Sequence, residues 1–140
     1  MQVDAIHPEI NKWIATKNIK AVAVDYVQRL QAPPKFNSRE YERVTYVSET
    51  LTAVAKSVGI PIIAASATRR KNADEKGGDP NMHDLRSSGQ LEFDAATILM
   101  LSRNKENKNL MHADLVKNRY GGLMGTDLFF DFSTQRIRPV

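Results

Sequence analysis

Asp25 is the residue whose type and setting point most directly to chemistry. It follows the run Ala-Val-Ala-Val at residues 21–24, and a short apolar run without alternation is typical of a strand buried on both faces. The carboxyl end of such a strand lies at the rim where open α/β sheets bind ligands. In nucleotide-binding α/β proteins an Asp in that place holds Mg²⁺. The alternative is a carboxylate that caps the next turn or pairs with a surface lysine.

The first half of the sequence predicts helices and strands in alternation around Asp25. A helix is expected over residues 8–18, with Asn18 as its left-handed end. A longer helix is expected from Ser38, its cap, to about residue 58, because apolar residues recur there at three- and four-residue intervals. Gly59 ends it. Residues 60–66 are a second unbroken apolar run, so a right-handed crossover unit joins two buried parallel strands.

The second half predicts a long polar loop followed by three strands. Residues 68–89 form a polar loop that is long enough to suggest a functional or mobile segment, and a short helix is expected to start near Asn81. A third buried strand is expected over 95–101. Two further strands, joined through glycines as a β-hairpin at the sheet edge, are expected over 112–117 and 126–131.

Composition fits one globular domain over residues 1–140. Hydrophobic residues make up 41% and charged residues 26%, and there is no cysteine, which excludes disulfides and cysteine-based metal sites. No apolar run approaches the ~20 residues that span a bilayer, and no signal peptide is visible, so a cytoplasmic protein is expected. The net charge of +4 is compatible with a polyanionic partner such as nucleic acid.

Four short blocks, in order, resemble the motor domain of DnaB-type replicative helicases. Asp-Tyr-Val-Gln at 25–28 is similar to the end of that family's Walker B strand, and residues 60–66 to its following strand. The clearest similarity is Asp-Leu-Arg-Ser-Ser-Gly, at 84–89, continuing to Ala95. Lys-Asn-Arg-Tyr-Gly at 117–121, followed by Gly-Thr, resembles the family's last block. Together the blocks cover most of the chain.

The resemblance implies a partial RecA-like P-loop NTPase fold in the α/β class. A mostly parallel sheet is expected, with helices on its faces and a C-terminal antiparallel hairpin. It also implies that copies of the chain assemble as a hexameric ring around single-stranded DNA in a bacterial or phage-infected cell. ATP and Mg²⁺ would be the cofactors in the full-length context, with none bound tightly to this chain alone.

The resemblance also assigns roles to individual residues. Asp25 would hold Mg²⁺ through water, and Lys117 and Arg119 would reach the γ-phosphate in the next subunit. Their i, i+2 spacing places both side chains on one face of a strand, where a solvated edge-strand pair is the alternative. Contacts to DNA would come from the loop block and the residues that lead into it, namely Arg69, Arg70, Arg86, Ser88 and Gly89.

The sequence departs from the family pattern at three positions. Ala67 stands where the family has a Gln that senses the γ-phosphate, Ser87 replaces a Glu, and Arg69 replaces an Asn. A methyl group cannot report on phosphate, so sensing through this strand is put in doubt.

A larger departure is that no Gly-x-x-x-x-Gly-Lys-Ser/Thr run occurs in the 140 residues. The catalytic glutamate, which lies upstream of the Walker B strand in the family, is also missing. The chain is therefore expected to be inactive alone, as the C-terminal part of a longer helicase or as a truncated relative. The alternative function is a non-catalytic RecA-like module that binds DNA or protein. A recombinase or clock-type relative is disfavoured by the block at 84–89.

The missing phosphate-loop strand has a consequence for the fold. In the family that strand lies between those matching 60–66 and 95–101, and unpaired backbone groups cost roughly 1–3 kcal/mol each when buried. We therefore expect these two strands to pair directly, or a second chain to supply the missing strand in a swapped dimer.

Overall fold

The computed structural model describes residues 1–68 and 89–140, which belong to two compact units. The first unit comprises residues 1–68 and 89–94, and the second comprises residues 95–140. None of the described helices combines the length and apolar character that a membrane crossing requires. The expectation of a single domain over 1–140 remains a prediction, since compact units of one chain can belong to one domain.

The described part of the first unit contains three α-helices and two strands, besides short 3-10 turns. They are helix α1 (Ile6–Lys17), strand β1 (Val22–Val24), helix α2 (Glu40–Val58), strand β2 (Ile62–Ala64) and helix α3 (Gly89–Asp94). The core of this unit consists of buried apolar side chains from the two longer helices and from the turns next to them. Burying each one contributes about 1.5–3 kcal/mol. The nine residues are Val3, Ile6, Ile10, Val27, Leu30, Val44, Val47, Leu51 and Val54.

The two longer helices end where residue type predicts. Asn18 has φ 51° and Gly59 has φ 70°, and the backbone N–H of each donates to the carbonyl four residues earlier. The predicted cap of α2 was wrong by one residue. Its N-terminal flanking residue is Arg39, while the Ser38 hydroxyl donates to the Glu42 carboxylate at 3.0 Å instead of capping the helix.

Strands β1 and β2 are parallel, as predicted, with Ala23 opposite Ile63 in the register. The prediction that both faces are buried was wrong. Val22 and Val24 pack against the core, but Ala23 is exposed and Ile63 keeps 67% of its surface. An unbroken apolar run indicates only that both faces of a strand are able to be buried. Among the described residues of this unit, the core packs against one face of the two strands and leaves the other face exposed.

The second unit is a four-stranded antiparallel sheet in sequential order. Its strands are β3 (Thr97–Arg103), β4 (Leu110–Asn118), β5 (Met124–Asp131) and β6 (Arg136–Pro139). The predicted hairpin is the β4–β5 pair. It is extended by β3 on one side and by β6, which the sequence did not predict, on the other. The predicted full burial of the third strand was wrong, because Ile98 and Met100 are buried while Leu99 and Leu101 are half-exposed.

Direct pairing across the missing strand was also predicted wrongly. Strand β2 pairs with β1, and β3 pairs with β4; β2 and β3 lie in separate sheets. The alternative, a strand supplied by a second chain, stays a prediction.

Candidate functional site

The first candidate site lies at the carboxyl ends of β1 and β2. Asp25 directly follows β1, its side chain is exposed, and the Asp25–Tyr26 peptide bond is cis. The turn at Val27–Arg29 has no side-chain cap. Within the described residues no hydrogen bond or ion pair engages the Asp25 carboxylate, so neither of its ordinary roles, as a cap or as a lysine partner, is observed.

The backbone joins the two strand ends beyond their last paired residues. The N–H of Ala65 donates to the Val24 carbonyl at 2.9 Å, and the N–H of Val27 donates to the Ala65 carbonyl at 2.9 Å. Because the strands are parallel, their carboxyl ends meet at one edge, and Asp25 lies there beside the segment that leaves β2.

Gln28 reinforces this edge with its side chain, which sequence reasoning did not identify. Its Nε2 donates to Ser66 Oγ at 2.9 Å, and its Oε1 accepts the Ala67 N–H at 3.3 Å. Gln28 is only 9% exposed, so these bonds are shielded from water. Gln28 is the last residue of the Asp-Tyr-Val-Gln run, so the sequence did draw attention to it. Its hydrogen-bond partners could not be predicted, because they lie 38 and 39 residues away in sequence.

The chemical groups at this edge suit a hydrated cation or a phosphate. Asp25 supplies a carboxylate open to solvent, and Ser66 supplies a half-buried hydroxyl held by Gln28. Hard cations such as Mg²⁺ favour one or two carboxylates and retain several waters. Across the described ranges 1–68 and 89–140, no three carboxylate or imidazole groups come together as a complete metal cage.

The end of the block that is predicted to contact DNA is anchored to α2. Gly89 is the exposed first residue of α3, and Asp94 is its last. The Ser48 hydroxyl, on α2 and 4% exposed, donates to Asp94 Oδ2 at 2.7 Å, while Gln90 Nε2 donates to Oδ1 at 2.9 Å. These bonds hold α3, which begins at the last residue of the block, against α2. The other predicted DNA residues, Arg69, Arg70, Arg86 and Ser88, lie outside the described residues, as does the short helix predicted near Asn81.

Lys117 and Arg119 lie in the second unit, at the end of β4. Lys117 is opposite Ile98 in the register, next to an irregularity between Ile98 and Leu99. The Arg119 N–H donates to the Ala96 carbonyl at 3.0 Å, which extends the ladder by one residue. Lys117 is half-buried and Arg119 is exposed. Arg119 lies in the turn directly after the last residue of β4, so the expectation that both side chains lie on one face of a strand stays a prediction.

Asn118 shapes the turn that follows this basic pair. Its Oδ1 accepts the Tyr120 N–H at 3.2 Å and its Nδ2 donates to the Gly122 carbonyl at 3.2 Å. A Cβ at Gly121 would lie 3.0 Å from Asn118 Nδ2, so any larger residue there would require the Asn118 amide to shift. Tyr120 is 87% exposed beside Arg119. Asp25 and the Lys117–Arg119 pair thus belong to different units, each with its own local scaffold.

Comparison with known proteins places these motifs in a family. Residues 1–139 match the DnaB-like helicase C terminal domain. The replicative DNA helicase DnaB of Mycoplasma pneumoniae is 33% identical over 151 residues, covering 97% of this chain and 32% of that helicase. The DnaB of Geobacillus stearothermophilus is 26% identical and matches 93% of this chain and 30% of the helicase.

Solved structures agree with the sequence relatives. One solved ATPase domain matches all of this chain and 52% of its own length, with a TM-score of 0.86 and 26% identity. A DnaB-like replicative helicase, solved in a study of its interactions with primase, matches 94% of this chain with a TM-score of 0.80 and 27% identity. This confirms the predicted RecA-like α/β fold. The chain spans about a third of the length of the curated relatives it matches, and it belongs to the DnaB-like helicase C-terminal domain family.

Proposed function

We propose that this chain forms part of the motor of an ATP-dependent replicative DNA helicase, which unwinds duplex DNA by moving along single-stranded DNA. The observation that carries the proposal is the exposed Asp25 carboxylate at the shared carboxyl edge of β1 and β2, with no partner among the described residues. That edge is where α/β sheets of this kind bind their ligands.

Asp25 is the residue that would hold Mg²⁺ through water. When bound, Mg²⁺ neutralises charge that develops on the phosphates during hydrolysis of ATP. Ser66 and the backbone around Ala67 are held in place by Gln28, next to the strand end that Asp25 follows. The phosphate-binding loop is not among the 140 residues, and the site therefore needs groups from elsewhere.

Lys117 and Arg119 are proposed to act on nucleotide held by a neighbouring copy of the chain in a ring. A guanidinium presents paired donors that match the oxygens of a transferring phosphoryl group. Support comes from the exposure of Arg119 and from its backbone bond to Ala96, which holds the residue at the end of β4. DNA would contact the loop block that ends at Gly89, and a primase is a further candidate partner, by analogy with the similar helicase structure. The bacterial relatives favour a cytoplasmic location.

A chimera tests the proposal directly. Residues 1–140 replace the matched third of the Mycoplasma pneumoniae helicase, and DNA-stimulated ATP hydrolysis is measured. Asp25→Asn should reduce turnover by at least about a hundredfold, and Arg119→Ala by about a thousandfold, the typical worth of an arginine supplied to a phosphoryl group. Lys56→Ala, an exposed change on α2, is the matched control and should leave turnover unchanged.

Mixed rings test whether Arg119 acts between subunits. When the Asp25→Asn and Arg119→Ala chimeras are combined in one ring, some interfaces contain two unaltered residues. At these interfaces the Arg119→Ala copy supplies Asp25 and the Asp25→Asn copy supplies Arg119. Turnover should then recover above that of either variant alone. No recovery in rings shown to contain both variants would contradict the proposed role across the interface.

A non-catalytic module is the second candidate function, and Ala67 favours it. Its N–H is bonded to Gln28, but its methyl group cannot sense phosphate. In the chimera, Ala67→Gln should raise DNA-stimulated turnover if the site is catalytic. An inactive parent chimera that remains inactive with Ala67→Gln, yet still binds DNA, would favour the non-catalytic module.

A further inference from the structure

The turn between β4 and β5 exposes three large apolar side chains at the same end of the sheet as Lys117 and Arg119. Tyr120 is 87% exposed, Leu123 is 66% exposed and Met124 is 67% exposed. We call these three residues the apolar tip. Single exposed apolar side chains are ordinary on a protein surface, but three within five residues form a local patch, which is typical of an interaction site.

The apolar tip is presented by an ordered turn. The Tyr120 N–H donates to Asn118 Oδ1 at 3.2 Å, and Asn118 Nδ2 donates to the Gly122 carbonyl at 3.2 Å, so one side chain at the end of β4 bonds the turn at two points. The backbone of Arg119 is held separately, by its hydrogen bond to the Ala96 carbonyl. Tyr120 therefore follows Arg119 in a segment whose backbone is held at both residues.

The Tyr120 phenol is open to another surface. Within residues 1–68 and 89–140, it stacks on no other aromatic ring, and no hydrogen bond of its hydroxyl is found. A tyrosine side chain has only two rotations to lose, so fixing it in a contact costs little entropy, and tyrosine is enriched at the centres of protein interfaces. The phenol is therefore suited to burial against a partner.

The position of Arg119 limits where that partner lies. An arginine side chain extends about 7 Å from its Cα, and consecutive Cα atoms lie about 3.8 Å apart. A neighbouring copy whose phosphate is contacted by Arg119 therefore comes within about 11 Å of the Tyr120 Cα, and a tyrosine side chain spans more than half of that distance. The same neighbour is within reach of the phenol.

We propose that Tyr120 is a positioning residue for Arg119, and that its phenol packs against the neighbouring copy in a ring of these chains. The inference rests on the proposed function, because it needs Arg119 to act across the interface. Burial of the phenol fixes the backbone that carries Arg119, so that the guanidinium meets the phosphoryl group at the right distance and angle. Leu123 and Met124 widen the contact. The family resemblance assigns roles to Lys117 and Arg119 in this block and none to Tyr120.

The first measurement is DNA-stimulated ATP hydrolysis by the chimera with the Mycoplasma pneumoniae helicase. Tyr120→Ser should lower kcat roughly tenfold to a hundredfold, since a displacement of about 1 Å at a catalytic group costs up to about a hundredfold. The KM for ATP should change less than about twofold, because the neighbouring copy binds the nucleotide. Tyr120→Phe retains the aromatic ring and should keep kcat within about twofold of the parent chimera.

Tyr41→Ser is the matched control, because it makes the same change at a tyrosine that is 59% exposed on α2. It should leave kcat and KM unchanged. Equal losses of kcat in Tyr120→Phe and Tyr120→Ser would show that the hydroxyl is required and would overturn a role based on packing of the ring.

Mixed rings show whether Tyr120 and Arg119 act from the same copy. Tyr120→Ser combined with Asp25→Asn should recover turnover above that of either variant alone, because some interfaces then contain two unaltered surfaces. Tyr120→Ser combined with Arg119→Ala should give no recovery above Tyr120→Ser alone, because every interface lacks one of the two residues. Recovery in this second mixture would overturn the proposal.

Hydroxyl-radical labelling, read by mass spectrometry, tests burial of the phenol independently of turnover. Tyr120 in the assembled chimera should be labelled at least roughly fivefold more slowly than in copies dissociated by dilution, because anchor residues at interface centres are desolvated. Tyr41 should be labelled equally in both states. Equal labelling of Tyr120 would overturn the proposal, and so would protection that appears only when oligothymidine is added, since DNA would then be the partner.

The same variants separate this inference from the proposed function. Loss of turnover in Arg119→Ala but not in Tyr120→Ser would refute the inference alone. Full turnover in Arg119→Ala would refute the proposed role of Arg119 in hydrolysis, and the positioning role of Tyr120 would fall with it.

Discussion

Gln28 and Ser66 join the carboxyl ends of the two parallel strands through a side-chain hydrogen bond of 2.9 Å, although they are 38 residues apart in sequence. The other end of the Gln28 amide accepts the Ala67 N–H. One nearly buried side chain therefore holds the segment after β2 against the segment after β1, beside Asp25.

Removing this side chain should destabilise the first unit. Gln28→Ala leaves the Ala67 N–H and the Ser66 hydroxyl without these partners, and the expected loss is about 1–3 kcal/mol of unfolding free energy. Urea denaturation followed by circular dichroism measures it. Glu49→Ala, an exposed change on α2, should stay within about 0.5 kcal/mol and serves as the control. Equal stability of the Gln28 variant and the parent chain would mean that water replaces the amide without cost.

The Ser48–Asp94 bond predicts a second stability effect. Ser48→Ala removes the 2.7 Å donor from a carboxylate that also holds Gln90, and hydrogen bonds to charged groups are worth about 1.5–3 kcal/mol. The expected loss lies in that range, and hydrogen exchange at α3 should accelerate because its anchor to α2 is gone. Lys56→Ala on the same helix is the control, since Lys56 is exposed. Unchanged exchange at α3 would contradict the anchoring role.

Tyr46 predicts how stability depends on pH. Its hydroxyl donates to Asp4 Oδ1 at 2.9 Å, and this hydrogen bond, with lesser contributions from desolvation and the Asp4 charge, raises the pKa of Tyr46. A raised pKa in the folded state favours the protonated form. The contribution to stability is complete below the pKa of an unfolded tyrosine, about 10, and is lost as pH rises through the folded value.

Tyr46→Phe should remove this alkaline dependence while keeping the ring stacked on Phe36, whose centroid lies 4.7 Å away. Unfolding free energy measured from neutral to alkaline pH should fall less steeply in the variant than in the parent chain. Tyr41→Phe, at a position 59% exposed, should leave the profile unchanged. Asp4→Asn should lower the pKa of Tyr46 toward its ordinary value in a tyrosinate absorbance titration, and an unshifted titration would exclude Asp4 as the cause.

Local features of the fold were predictable where one residue type has a strong conformational preference. Asn18 and Gly59 end their helices because both residue types tolerate positive φ. Strand β6 was not predictable, since Arg136–Pro139 is exposed throughout and has only one apolar residue inside it, Ile137. An edge strand of this kind is defined by its ladder to β5, which the sequence pattern does not reveal.

The candidate site was predictable only in part for a similar reason. Asp25 was located from a short apolar run and confirmed at the end of β1. The Gln28–Ser66 hydrogen bond at the same edge joins segments that are distant in sequence, and no periodicity of the sequence indicates such a contact. The roles of Asp25, Lys117 and Arg119 in nucleotide chemistry stay predictions.

The imidazole of His112 occupies the space that a side chain at position 125 would fill, so Gly125 is expected to be sensitive to substitution. A Cβ at Gly125 would lie 2.9 Å from His112 Nε2, while Nδ1 of the same ring is 2.8 Å from Asp127 Oδ1. Gly125→Ala should therefore displace the ring and weaken its contact with Asp127, at a cost of about 1 kcal/mol in unfolding free energy. A double-mutant cycle separates this effect from backbone propensity: in the His112→Ala background the same change at Gly125 should cost less by most of that amount. Equal costs in both backgrounds would show that the glycine is required by the strand and not by the histidine.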